Sequence, residues 1–370
     1  MLAATAQRRV YFSLKQAGFL LPFLAATLPL QAWLLARDGV PADLAAWFPV
    51  FVVFAVIPLL DLAIGGDPVN PTDDESAALA KSRIYRALAL ATVPLQLASV
   101  TFGAWAFTHW ELGLVGKIGW IISVGTVSGS IGINVGHELI HKYPRLDQWA
   151  GGVLLTSSLY PGFKIEHVLG HHVDIGTPKD NTTARFGQSV YSYLALAFAT
   201  NFRKAWRFER ERLAALGLPA LHWRNELVWW YALCALFALA LGIAFGWAGV
   251  AFFVAQGVFG IALLEIVNYI EHYGLERRKL ADGRYEPVTV MHSWNSDALL
   301  TNLFLFHLQR HADHHRYARR PYQILRSIPE APQLPTGYAG MILVALVPPL
   351  WFRIMNPRAE ALRGAQGKEA

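Results

Sequence analysis

The sequence predicts an all-α integral membrane protein of about six transmembrane helices carrying a cytoplasmic, histidine-rich helical cap. Three observations lead there. Of 370 residues, 54% are hydrophobic and only 16% are charged, whereas soluble domains carry about 25% charge. The apolar residues gather into stretches of about 20, the length that crosses a bilayer as a helix. Nine of the 13 histidines cluster, and all nine fall on one side of the membrane that those stretches define.

In chain order the candidate spans are 17–36, 43–64, 86–108, 113–135, 226–246 and 248–270. The first is too long for a signal-peptide core and is read as a retained helix. Arg37-Asp38-Gly39 separates it from the second, which ends at Asp61. Gly246-Trp247 joins the fifth and sixth into an antiparallel hairpin. Pro22, Pro29, Pro58 and Pro94 lie inside spans, where membrane helices tolerate proline. Thirteen tryptophans suit the aromatic belts at the two interfaces.

With six spans, the N-terminus, the 65–85 loop, the 136–225 loop and everything after 271 share one side. That side holds 30 of the 32 Lys and Arg; only Arg37 and Lys117 lie opposite. The positive-inside rule makes it the cytoplasm. The net charge of +6 is thus a topology signal, and no nucleic-acid partner is implied. The segments 136–225 and 271–355 form the cap of a single membrane-embedded domain, 1–355. Within the cap, 150–163 and 190–200 are short packed or interfacial apolar segments, 338–352 is peripheral because of Pro348-Pro349, and 356–370 is a polar, disordered tail or linker. Cys234 is the only cysteine, so a disulfide framework, a cysteine zinc site and a thiolate iron–sulfur cluster are excluded from this chain.

The chemistry lies in the histidines. His137 and His141 stand one helical turn apart on one face. His167, His171 and His172 form a second group; His311, His314 and His315 form a third; His272 stands alone at the end of the sixth span. Neutral imidazole is the commonest protein metal ligand. Nine imidazoles suit two ions with four or five nitrogens each. A zinc protease would need His137-Glu138-x-x-His141 and one further ligand, leaving at least six clustered histidines without a role. A transporter would place its ligands near the midplane of a repeated fold, and no repeat is visible.

Polar stripes lead into the ligands. Asn134, His137 and His141 share a face, as do Glu265, Asn268 and His272. Ionisable residues inside a membrane default to a functional reading, so Asn134, Glu138, Glu265 and Asn268 are candidates to orient imidazoles or tune the metals. Glu138, Glu166 and Glu271 each sit beside a ligand histidine and are either orienting groups or solvated. Asp180, Asp297 and Asp313 are weaker candidates. His292 and His307 flank the last group; His307 is either a tenth ligand or a hydrogen-bonding residue. His109 and His222 are ordinary. Gly125, Gly129, Gly132 and Gly136 allow close helix packing or leave room for a substrate channel.

At these clusters the chain resembles the membrane-bound alkane monooxygenases and, more distantly, membrane xylene monooxygenases and fatty-acyl desaturases. The carrying segments are Asn134–Lys142, Glu166–His172, Asn268–Leu275 and Leu308–His315, and similar stretches include Ile57–Asp61, His292–Ser296 and Leu334–Tyr338. The resemblance implies a non-haem pair of iron ions, O2 as oxidant and hydroxylation of a medium-chain alkane at its terminal methyl, in a bacterial inner membrane with both termini cytoplasmic. It implies electrons from rubredoxin, as a separate chain or a missing fused domain, reduced by an NADH-dependent reductase. No side-chain catalyst is expected beyond the metal centre. The basic run Arg203, Lys204, Arg207, Arg210 and Arg212 either attracts an acidic carrier or meets lipid headgroups. An alkane would reach the site from the bilayer, and Phe51, Val53 and Phe54 on the second span are candidates to line its channel. The residues leave open a related lipid-chain desaturase or hydroxylase.

Overall fold

The structure, a computed structural model, describes residues 2–366. Its regular elements are helices, and pairing of extended chain is confined to isolated bridges among the described residues. Four helices are long and apolar enough to cross a membrane: Val10–Arg37, Arg83–His109, Leu114–Ile140 and Glu226–His272. Glu226–His272 accounts for the fifth and sixth spans together, because Gly246 breaks it with φ 66°. Phe237 and Phe253 lie 16 residues apart, about 24 Å along a straight helix, yet their rings meet across the bend, centroid to centroid 5.3 Å. The two halves therefore fold back on each other as the sequence predicts. The remaining span, Phe48–Ile64, is shorter than the others.

Three helices contain a wide π-turn: Val52–Val56, Ser128–Ile133 and His167–His171. Such turns recur at functional sites because they re-aim side chains. Here two of them border an internal cavity and the third carries histidines.

The fourth span is the most enclosed, with 78% of its apolar window buried. Its glycines make this possible. A Cβ on Gly125 would lie 2.7 Å from the carbonyl oxygen of Gln256 in the sixth span, and one on Gly136 would lie 3.3 Å from the carbonyl of Gly151. Close packing is thus the main role of the stripe, while Gly129 also faces the cavity.

The cap departs from expectation in two places. Residues 190–200 open a 25-residue helix, Val190–Ala214. The 356–366 stretch, expected to be a disordered tail, belongs to the helix Pro348–Gln366, where Pro348 and Pro349 sit at the start and cost no hydrogen bond while Pro357 lies inside. Trp351, Met355 and Ala359 are buried at four-residue spacing and join the largest core cluster beside Tyr269 and Tyr273. That stripe is narrow and flanked by charge, so the segment reads as polar although it packs. Residues 367–370 of the expected tail lie outside the described residues.

Candidate metal centre

The fourth span carries His137 and His141 to its end, the sixth delivers His272, and two short cap helices bring the rest. The nine histidines meet as two adjoining groups, each with one nitrogen per residue inside a 4.8 Å sphere of mutual distance. One group is His137, His141, His167, His172 and His314; the other is His171, His272, His311 and His315.

Local backbone geometry explains the division. On an α-turn, residues four apart share a face: His137 pairs with His141, and His311 with His315. At His167–His171 the turn is π, and the His172 N–H reaches back five residues to the His167 carbonyl. Residues five apart then align, so His167 joins His172, with ring nitrogens 3.0 Å apart. His171 turns to the other group. The neighbours His171/His172 and His314/His315 each send one ring to each group.

The ring nitrogens fit a cation. His172 Nε2 lies 3.0 Å from His167 Nε2 and 3.2 Å from His314 Nε2. His311 Nε2 lies 3.1 Å from His272 Nε2 and 2.9 Å from His315 Nε2. An imidazole nitrogen carries either one proton or one lone pair, so hydrogen bonding satisfies only one of each pair of contacts. His137 Nε2, His141 Nε2 and His171 Nε2 are buried with no partner at all. A cation among the lone pairs resolves both facts. Metal–nitrogen bonds of about 2.1 Å set ligands about 3.0 Å apart at right angles and about 3.4 Å apart at tetrahedral angles. The observed spacings of 2.9–3.2 Å lie close to these separations, so the residues present fit a shared ion. Burial, with the neighbouring rings, pushes the pKa of His141, His167, His172, His311, His314 and His315 well down, which keeps them in the neutral, ligating form.

The groups that orient these rings are mostly other than the sequence suggests. Asp180, a weaker candidate, accepts from His171 Nδ1 at 2.9 Å. Burial opposes its charge, but His171 and the hydroxyls of Thr182 and Thr183 outweigh that and hold its carboxyl low. Glu271 stands 3.2 Å from His311 Nδ1, close but not aligned for a hydrogen bond. His272 Nδ1 faces the backbone carbonyl of His292 at 3.1 Å, while the His292 ring turns to Glu286. Glu166 lies 3.5 Å from Lys204, and burial and Asp180 push its pKa up to about 7.

The four residues expected to orient imidazoles, Asn134, Glu138, Glu265 and Asn268, have other partners. Asn134 donates to the Leu305 carbonyl at 3.0 Å. Glu138 pairs with Lys142 at 2.8 Å and accepts from the Tyr322 N–H. Glu265 accepts from Tyr160, Tyr193, Asn201 and Asn268. None of the four hydrogen-bonds an imidazole among the described residues; they join the frame around the site. His307 bonds the Tyr322 carbonyl through Nδ1 and stands outside both histidine groups. Thr182, whose hydroxyl lies 2.8 Å from His171 Nδ1, gave no signal in the sequence beyond its nearness to Asp180. In the basic run, Lys204, Arg207 and Arg212 are engaged by Glu166, Glu211 and Glu209, leaving Arg203 and Arg210 without an ion pair among the described residues.

Membraneward of the histidines lies an apolar cavity of about 70 Å³. Val53 and Phe54 line it; Phe51 does not and is 59% exposed. Its wall also includes Asn134, three residues before His137, and Leu308, three residues before His311. One lining residue thus lies three positions before a histidine of each group.

Fold and site together define a class: helical membrane proteins whose clustered histidines could hold metal ions, with an apolar cavity among the spans. Comparison with known proteins narrows it. The fatty acid desaturase family model matches residues 112–345. Alkane 1-monooxygenase 2 of Pseudomonas aeruginosa is 54% identical over 94% of this chain and 93% of its own length. Alkane 1-monooxygenase 2 of Alcanivorax borkumensis is 48% identical over 95% and 93%. The xylene/toluene monooxygenase hydroxylase component of Pseudomonas putida is 29% identical over 64% and 63%. The chain belongs to the fatty acid desaturase family and, within it, to the alkane 1-monooxygenases.

Proposed function

We propose that this enzyme hydroxylates the terminal methyl of medium-chain n-alkanes to 1-alkanols, with O2 as oxidant and rubredoxin, reduced by an NADH-dependent reductase, as electron donor. The nine histidines hold two iron ions, five imidazoles on one and four on the other. The domain lies in the bacterial inner membrane with the histidine side and both termini cytoplasmic, as the Lys and Arg placement supports.

The observation that carries this reading is the apolar cavity whose lining includes Asn134 and Leu308, each three residues before a histidine of one of the two groups. An alkane offers no polar handle, so shape must select its end. Val53, Phe54 and Ile57 form one wall, Leu263, Leu264 and Val267 another, and together they present a chain end to the cage. When bound, the irons supply the oxygen activation that no side-chain acid or base can provide for an unactivated C–H bond. The protein's part is to exclude water, align the chain and keep the imidazoles neutral. A zinc protease would use Glu138 as base, but Lys142 and the Tyr322 N–H occupy that carboxylate.

Purified protein with rubredoxin, its reductase, NADH and O2 should convert octane to 1-octanol. An alkene product, or no loss of alkane, overturns the assignment. Metal analysis should find about two irons per chain; about one zinc would favour the protease. Val53→Trp should shorten the longest chain accepted, and an unchanged chain-length profile would remove Val53 from the slot.

A further inference from the structure

Away from the histidines, the start of the fifth span borders a cavity of about 580 Å³. Four cations line it: Arg145, Lys164, Arg212 and Arg224. Lys164 pairs with Glu226 and Arg212 with Glu209, so their charge is already balanced. Arg145 and Arg224 have no ion pair among the described residues, and both border the same space. Tryptophans supply the rest of the wall. Trp149 and Trp230 pack at 4.9 Å between ring centroids, and Trp229 Nε1 donates to the Trp223 carbonyl, so the walls are braced by side-chain contacts. Trp149, Trp223 and Trp229 are nevertheless more than half exposed.

Place in the fold says what such a pocket meets. Glu226 opens a membrane span on the same side as the histidines. Trp229, Leu236 and Ile243, at seven-residue steps, are exposed along one face of that span, and such a face belongs to lipid tails. The pocket thus sits at headgroup level, where tryptophan rings settle, with an acyl track running from it into the bilayer. Basic pockets between membrane helices bind anionic headgroups.

We infer that this pocket is a binding site for one anionic phospholipid. Arg145 and Arg224 take the headgroup phosphate, and the acyl chains lie along Trp229, Leu236 and Ile243. The ligand clamps the 145–157 helix and the end of the Val190–Ala214 helix to the fifth span.

Thermal unfolding of the full chain in zwitterionic detergent, titrated with phosphatidylglycerol, phosphatidylcholine or inorganic phosphate, tests the site. Phosphatidylglycerol should raise the midpoint saturably, and the other two should not. The double variant R145Q/R224Q should need about tenfold more phosphatidylglycerol for the same shift. The control R353Q/R358Q, at exposed arginines outside the pocket, should respond as wild type, and an equal loss there overturns the proposal. Equal response to phosphatidylcholine, full reproduction by phosphate alone, or an unaltered R145Q/R224Q response overturns the proposal. If that variant fails to fold, native mass spectrometry of the wild-type chain decides. Retention of one phosphatidylglycerol in competition with phosphatidylcholine supports the site, and equal retention of both rejects it.

Discussion

The two histidine groups differ more in their surroundings than in their ligands. The four-histidine group is wholly buried and wired to charge: Asp180 holds His171, Glu271 faces His311, and a backbone carbonyl meets His272. The five-histidine group makes no ion pair to a carboxylate among the described residues, and His172 stands partly exposed. Carboxylates behind imidazoles fix ring orientation and raise ligand basicity. Similar ligand sets thus give unequal sites, one rigid and charge-compensated, the other held by packing and open to the surface.

The sharpest way to break this comparison is through adjacent residues. His171→Ala and His172→Ala alter neighbouring positions but different groups. Each should lower iron content by up to one ion per chain and abolish alkane turnover, and the residual iron should differ between them in Mössbauer parameters. Identical residual spectra would mean that the two groups are not separate sites. Next in size, Asp180→Asn should weaken iron binding about ten- to a hundredfold, read as faster loss to a chelator, and in one of two kinetic phases only. Loss from both phases equally would erase the asymmetry. Glu271→Gln should act on the same phase, more weakly, because its carboxylate is not aligned on His311. Smallest, Thr182→Val removes a hydroxyl from Asp180 and His171, worth about 1 kcal/mol, and should speed that phase about fivefold.

Much of this was legible in the sequence. Span lengths and the one-sided Lys and Arg fix which ends of which helices share a face, and that alone brings the nine histidines together. Their division into five and four was not legible, because it turns on a π-turn at His167–His171 that no residue pattern announces. The partners of Glu265 were not legible for a related reason: Tyr160, Tyr193 and Asn201 come from distant segments, and only folding shows that they surround it. The 348–366 helix was missed because its buried stripe is one residue wide.

The pairs His171/His172 and His314/His315, each split between the two groups, have a bearing on how the centre is built. If each group holds one ion, as proposed, whichever arrived first would order two backbone segments that also carry histidines of the other group. Binding at one position therefore prepays part of the ordering entropy at the other, and linkage makes that benefit mutual. Filling should be cooperative, with chains carrying none or two ions outnumbering those with one when iron is scarce.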